Sequence, residues 1–124
     1  MKSYKTPRAP IPAGHYAQAV SHAGLLFVSG QLPIHPEDPT WKAADIREQT
    51  RRVLLNLEAI LQEGGCTRSS VVKVTVYVSD IGLWSAVNEE YAAFFGDHRP
   101  ARAIVPVRDL HHGHQIELEA VAAL

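Results

Sequence analysis

The chain has 124 residues, 46% hydrophobic and 20% charged, with 13 acidic residues against 12 Lys and Arg and a formal net charge of -1. That length suits one packed core and a single domain over 1–124. A near-neutral balance without a basic run argues against a surface built to neutralise phosphates, so nucleic acid is not an expected partner.

The longest apolar runs reach about five residues, far below the roughly 20 of a bilayer span, and no membrane partner is expected. The lone Cys66 cannot close an internal disulfide and asks for no oxidising compartment. The N-terminus has no apolar run of signal-peptide length, so the expected location is the cytoplasm.

In chain order, "YAQAVSHAGLLFVSGQ" reads as two short strands joined at Ala23-Gly24. A loop with Pro33, Pro36 and Pro39 follows. Asp45 can cap a helix with Glu48 three residues on. Ile46, Thr50, Val53, Leu54, Leu57, Ile60 and Leu61 recur at helical spacing, and Gly64-Gly65 ends the run. In "SVVKVTVYVSD" the β-branched residues alternate, which is strand chemistry. Asp80 starts a second helix with Trp84, Val87, Tyr91 and Phe94 or Phe95 on one face. Pro100 closes the next loop. Strands over about Arg102 to Val107 and Gln115 to Ala122 flank "RDLHHGH".

The order β-β-α-β-α-β-β predicts an α+β, two-layer sandwich: one mixed sheet with two helices on one face. On the helix side the alternation puts Val72, Val74, Val76 and Val78; Ala103, Val105 and Val107; and Ile116, Leu118 and Ala120. The other side then carries Lys73, Thr75 and Tyr77; Arg102, Ile104 and Pro106; and Glu117, Glu119 and Val121. No third layer remains to cover that mixed face, which suits burial against another subunit.

Arg102 and Glu117 are the sharpest pair, expected on adjacent strands and on the uncovered face. They read either as a cross-sheet salt bridge or as a fork for a substrate carboxylate with a carboxylate that holds a water. Tyr16 precedes the first strand; by itself it is a core-edge ring. Ser29-Gly30 ends the second strand and by itself is turn chemistry. Asn88 lies inside the second helix, either exposed or as an amide that braces a loop. "HHGH" (His111, His112, His114) has metal-like spacing but no companion carboxylate or cysteine cluster, so no metal site is assigned. Cys66 reads as a plain structural or surface thiol, with nothing nearby to mark it as a nucleophile.

The motifs "GHYAQAV", "LLFVSGQLPI", "VVKVTVYVSDIGLWSAVNEEYAAFF", "RPARAIVPV" and "QIELEAVA" resemble the Rid family, the reactive intermediate deaminases (YjgF family), in order and over nearly the whole chain. The resemblance implies a chorismate-mutase-like fold and homotrimers whose sheets form a central barrel, with a site in each cleft between subunits. It implies hydrolysis of small enamines and imines, such as 2-aminoacrylate and 2-iminopropanoate, to 2-keto acids and ammonia, with no cofactor. Carried over by motif, Arg102 binds the substrate carboxylate, Glu117 goes with the water, Tyr16, Ser29 and Gly30 line the pocket, and Asn88 matches the asparagine of the family's "VN" helix. His15 stands where the family commonly has Pro. Ile104 stands where it often has Cys, which argues against redox control there. The alternatives are a ring-cleavage deaminase for an aminomuconate-type acid, a non-catalytic protein that binds small carboxylates, and an endoribonuclease. The missing basic patch counts against the last.

Overall fold

The computed structural model describes residues 1–124. Its elements run β1 (Lys2–Tyr4), β2 (Ala19–His22), β3 (Leu25–Gln31), α1 (Ile46–Glu63), β4 (Val71–Val78), α2 (Trp84–Phe95), β5 (Ala101–Pro106) and β6 (Ile116–Ala123). The six strands form one sheet in the order β1-β2-β3-β6-β4-β5. Only β4 and β5 are parallel, as α2 crosses between them; every other pair is antiparallel. Two helices on a mixed sheet make the expected α+β, two-layer architecture, consistent with a chorismate-mutase-like fold. The order gains one element: β1, too short to show alternation, pairs with β2.

Local chemistry sets the joints. Ala23 and Gly24 both take positive φ (52° and 78°), the pattern of a tight type I′ hairpin between β2 and β3. Asp45 caps α1 by accepting from the Glu48 N–H at 2.9 Å, while the Glu48 carboxylate reaches past the cap to the Ala44 N–H at 2.9 Å. At the other end Gly65 is the left-handed residue (φ 76°). Its N–H donates to Gln62 O and that of Cys66 to Leu61 O, which satisfies two terminal carbonyls as in a Schellman motif. Asp80 caps a single 3-10 turn that runs into α2 at Trp84.

The core lies between helices and sheet. Leu54, Leu57, Ile60 and Leu61 of α1 and Val87, Tyr91 and Phe95 of α2 meet Leu26, Val28, Val74, Val76, Val78, Ile116, Leu118 and Ala120 of the sheet. Trp84, expected on that face, is 40% exposed at the start of α2.

Two face assignments are corrected. Val72 is 48% exposed, and Val71 takes the core position. The β4–β6 register shifts between Val71 and Lys73, and this bulge resets the phase. In β5 the faces are the reverse of those expected. The parallel register sets Arg102 beside Val74 and Ile104 beside Val76, both core-facing valines. Arg102 and Ile104 are accordingly half-buried on the helix side, whereas Ala103 and Val105 are exposed on the other.

Candidate active site

Arg102 and Glu117 do not meet. β4 separates their strands. Glu117 pairs with Tyr77, on the face opposite the core valines, and Arg102 pairs with Val74 on the core side. The cross-sheet salt bridge weighed from the sequence is thereby ruled out, as is the shared face. The site residues fall instead into two groups.

The first group surrounds Arg102 at the rim of the helix layer. Its Nη1 donates to Asn88 Oδ1 at 2.9 Å. The guanidinium lies over the Tyr91 ring, 4.7 Å from its centroid, and 5.7 Å from that of Trp84. Asn88 thus orients the arginine, rather than standing exposed or bracing a loop. A neutral amide leaves the positive charge uncompensated, and no carboxylate lies within ion-pair distance of Arg102. Beside it opens a cavity of about 470 Å³, bordered by Asn88, Tyr91, Phe95, His98, Arg99 and Arg102 among others. Tyr91 is 6% exposed, and its hydroxyl is the one buried side-chain polar atom without a hydrogen-bond partner. Burial pushes that phenol up to about 12, against the opposing pull of the Arg102 charge.

The second group lies where β3 meets β6. Between Val28 and Gln31 the β3–β6 register shifts, and Ser29 and Gly30 occupy the bulge. The Ser29 hydroxyl donates to Ala17 O at 2.6 Å and its N–H to Gln18 O at 2.9 Å, fixing the segment that follows Tyr16. Tyr16 itself is 52% exposed. Gly30 leaves room for the Glu117 carboxylate: a Cβ there would meet its Oε1 and push the end of that side chain aside. Glu117 is half-buried on the open face. Burial raises its carboxyl above the usual glutamate range; the Glu119 charge adds to this and His111 opposes it. Glu119, by contrast, accepts from the Tyr77 hydroxyl. Glu117 is therefore the carboxylate of this pair left to take a proton or hold a water.

Three buried amides escaped notice in the sequence. Asn56, fully buried in α1, donates to Leu32 O at 3.0 Å and Ile34 O at 2.9 Å, so it is Asn56 that braces the Pro-rich loop. Gln18 accepts from the Thr6 N–H at 2.7 Å and donates to Pro10 O at 2.9 Å, pinning the N-terminal segment beside Tyr16. Gln31 closes the bulge with a bond to Ser29 O. A polar residue at a core-phase position was the available signal in each case. The "HHGH" turn stacks His111 on His112 with centroids 3.8 Å apart, His112 taking positive φ (58°). No three His, Cys, Asp or Glu side chains converge as a metal site. Cys66 is buried, which raises its thiol pKa.

A model of the family described as endoribonuclease L-PSP, the Rid family of the motifs above, matches residues 6–124. The chain belongs to the Rid family. Among its relatives, a RutC family protein of Pyrococcus abyssi is 45% identical over 117 residues, covering 94% of this chain and 92% of that protein. The 2-iminobutanoate/2-iminopropanoate deaminase of Rattus norvegicus is 38% identical, covering 98% of this Rid chain and 88% of its own length. Solved structures agree in fold. A Thermotoga maritima protein described as a putative endoribonuclease superposes with a TM-score of 0.96 at 45% identity, over 100% of this chain and 98% of that one. Escherichia coli TdcF with bound serine gives 0.95 at 34% identity, over 100% and 99%. No helix of this Rid protein is long and apolar enough to cross a membrane.

Proposed function

We propose that this protein hydrolyses small imines of amino-acid origin, of the 2-iminopropanoate type, to 2-keto acids and ammonia, as a cytoplasmic homotrimer with its sites between subunits. One observation carries this reading. Arg102 is oriented by Asn88 at a cavity that no Asp or Glu borders, with its charge unpaired. A planar fork held in place and left without a carboxylate is suited to a carboxylate ligand.

The chemistry then asks for a positioned water. The imine carbon is already electrophilic, and fixing the carboxylate fixes that carbon. Water oxygen bonds to it as Glu117 takes the water proton, giving a carbinolamine. Glu117 passes that proton to the nitrogen, the C–N bond breaks with its electrons leaving on ammonia, and the hydroxyl loses its proton as the carbonyl forms. A carboxyl held above its usual range is a better base near neutral pH. No metal or organic cofactor is called for.

Within one chain Arg102 and Glu117 lie on opposite faces of the sheet, so they cannot serve one small ligand. A neighbour whose β5 rim lies against the Ser29–Gly30–Glu117 face unites them and covers the mixed surface of Phe27, Lys73, Thr75 and Tyr77. In an endoribonuclease, cations would line a phosphate track; here Arg47, Arg51 and Arg68 are each bound to glutamates.

Two measurements test the proposal. Ammonia release from enzymatically generated 2-iminopropanoate should accelerate when the protein is added; equal rates with and without it would refute the activity. Coexpressed Arg102→Ala and Glu117→Gln chains, each inactive alone, should regain about a quarter of the sites by random mixing in a trimer. No recovery from a mixed, folded oligomer would place the site within one chain or elsewhere.

A further inference from the structure

Trp84 opens α2, yet its ring lies outside the core and is 40% exposed. What that ring meets is the guanidinium of Arg102. Trp84, Asn88 and Tyr91 stand at positions i, i+4 and i+7 of α2, on successive turns of one face. All three hold the same group: Asn88 Oδ1 accepts from Nη1 at 2.9 Å, and the Tyr91 and Trp84 centroids lie 4.7 Å and 5.7 Å from the guanidinium carbon. Both rings are themselves fixed. Tyr91 packs on Phe95 with centroids 4.7 Å apart, and Trp84 follows the turn in which the Asp80 carboxylate accepts from the Gly82 N–H at 2.6 Å.

One hydrogen bond leaves a planar fork free to turn about it. A ring face restrains that turning, because the cation is attracted to the π surface it lies over. Ring faces also differ from a carboxylate in what they leave behind. They neither neutralise the charge nor use up the in-plane N–H donors, which stay available to a carboxylate ligand. Orienting those donors in advance lowers the ordering cost of binding. Trp84 does not border the cavity beside Arg102, whereas Asn88 and Tyr91 do. All these residues belong to one chain, so the arrangement stands whatever surface closes the cavity from outside.

We infer that Trp84 is a positioning residue for imine hydrolysis: it acts through Arg102, setting the plane of the guanidinium before substrate enters, and takes no part in the bond changes. This role rests on the deaminase reading above.

Two substitutions at this partly exposed site separate the ring face from mere bulk. Trp84→Phe keeps a π face over Arg102, and Trp84→Leu keeps apolar volume without one. Calorimetric titration with 2-oxobutanoate, a stable keto-acid product, should show Trp84→Leu binding about three- to thirty-fold more weakly than wild type, with Trp84→Phe within about three-fold of it. The value of kcat/KM for the corresponding imine should fall in the same order. In an Arg102→Lys background, which keeps a charge but has no plane to set, the further loss from Trp84→Leu should shrink below about two-fold. Equal losses in the Phe and Leu variants, no loss in either, or an undiminished loss in the Lys background would overturn the positioning role; imine turnover by the wild type would then leave the deaminase reading intact. A wild type that shows this binding pattern but turns over no imine would overturn the deaminase reading alone, and one that neither binds the keto acid nor turns over imine would overturn both.

Discussion

Tyr91→Phe should make the protein more stable. The hydroxyl is buried among Arg102, Phe95 and the core, and nothing accepts its proton. A buried polar group without a partner costs about 1–3 kcal/mol, and removing it while keeping the ring keeps the packing against Phe95 (centroids 4.7 Å apart) and beneath Arg102. Unfolding entropy of about 2.1 cal/mol/K per residue gives about 0.26 kcal/mol/K for this chain, so the expected rise is about 4–11 °C. Calorimetry at matched protein concentration measures it.

The pH dependence supplies a second readout. The Tyr91 phenol is raised from its ordinary value of about 10 to about 12, so the fold favours its protonated form. That contribution is fully present below about pH 10 and is lost as pH rises through about 12. The Phe variant lacks it, so the gap between variant and wild type should widen over that window. An unchanged or lowered melting point at neutral pH would mean that the hydroxyl has a partner, from water or a neighbouring subunit, and would refute the reasoning.

Arg102→Ala removes one hydrogen bond and two cation–π contacts, a folding cost of about 1–3 kcal/mol, but a desolvated carboxylate pair of about 2–5 kcal/mol, so kcat/KM should fall about 30- to 5,000-fold in a protein that still folds. Turnover surviving in a protein that melts much earlier would make Arg102 structural. Glu117→Gln should lower kcat more than it changes KM. Because burial raises this carboxyl, its stabilising contribution exists below the ordinary glutamate range and is lost as pH rises through the raised value, so the Gln variant should melt at or above wild type at pH 7; a clear drop there would reveal a cation that pairs with Glu117. Gly30→Ala pushes only the flexible end of Glu117, so the melting point should hold while turnover falls by about 10²-fold; full activity would show that the carboxylate position is unimportant.

How far the sequence spoke depended on whether the deciding contact was local. α1 was legible because Asp45, the apolar spacing and Gly64-Gly65 act within one turn of each boundary. The faces of β6 were legible because Ile116, Leu118 and Ala120 alternate with Glu117 and Glu119. β5 was not, because Ala103 and Val105 are as apolar as Ile104, and only pairing with Val74 and Val76 sets the phase. The adjacent valines at 71 and 72 likewise hid the bulge. Placing β6 between β3 and β4 is a long-range decision with no local mark, and it separates Arg102 from Glu117. The motif-borne resemblance named both residues without saying that they lie on opposite faces of one chain.

The ends of the sheet carry a further consequence. At one margin β1 offers three residues, with Lys2 inside it and Lys5 just beyond. At the other, Pro100 precedes β5 and Pro106 ends it, so the ladder is denied an N–H at both limits of the strand. Both margins are thus poor templates for adding another strand. Growth by unlimited side-to-side pairing, the route to fibrils, is disfavoured at either side. Any second copy that meets this chain is therefore directed to the side chains of its broad surfaces rather than to the margins of its sheet.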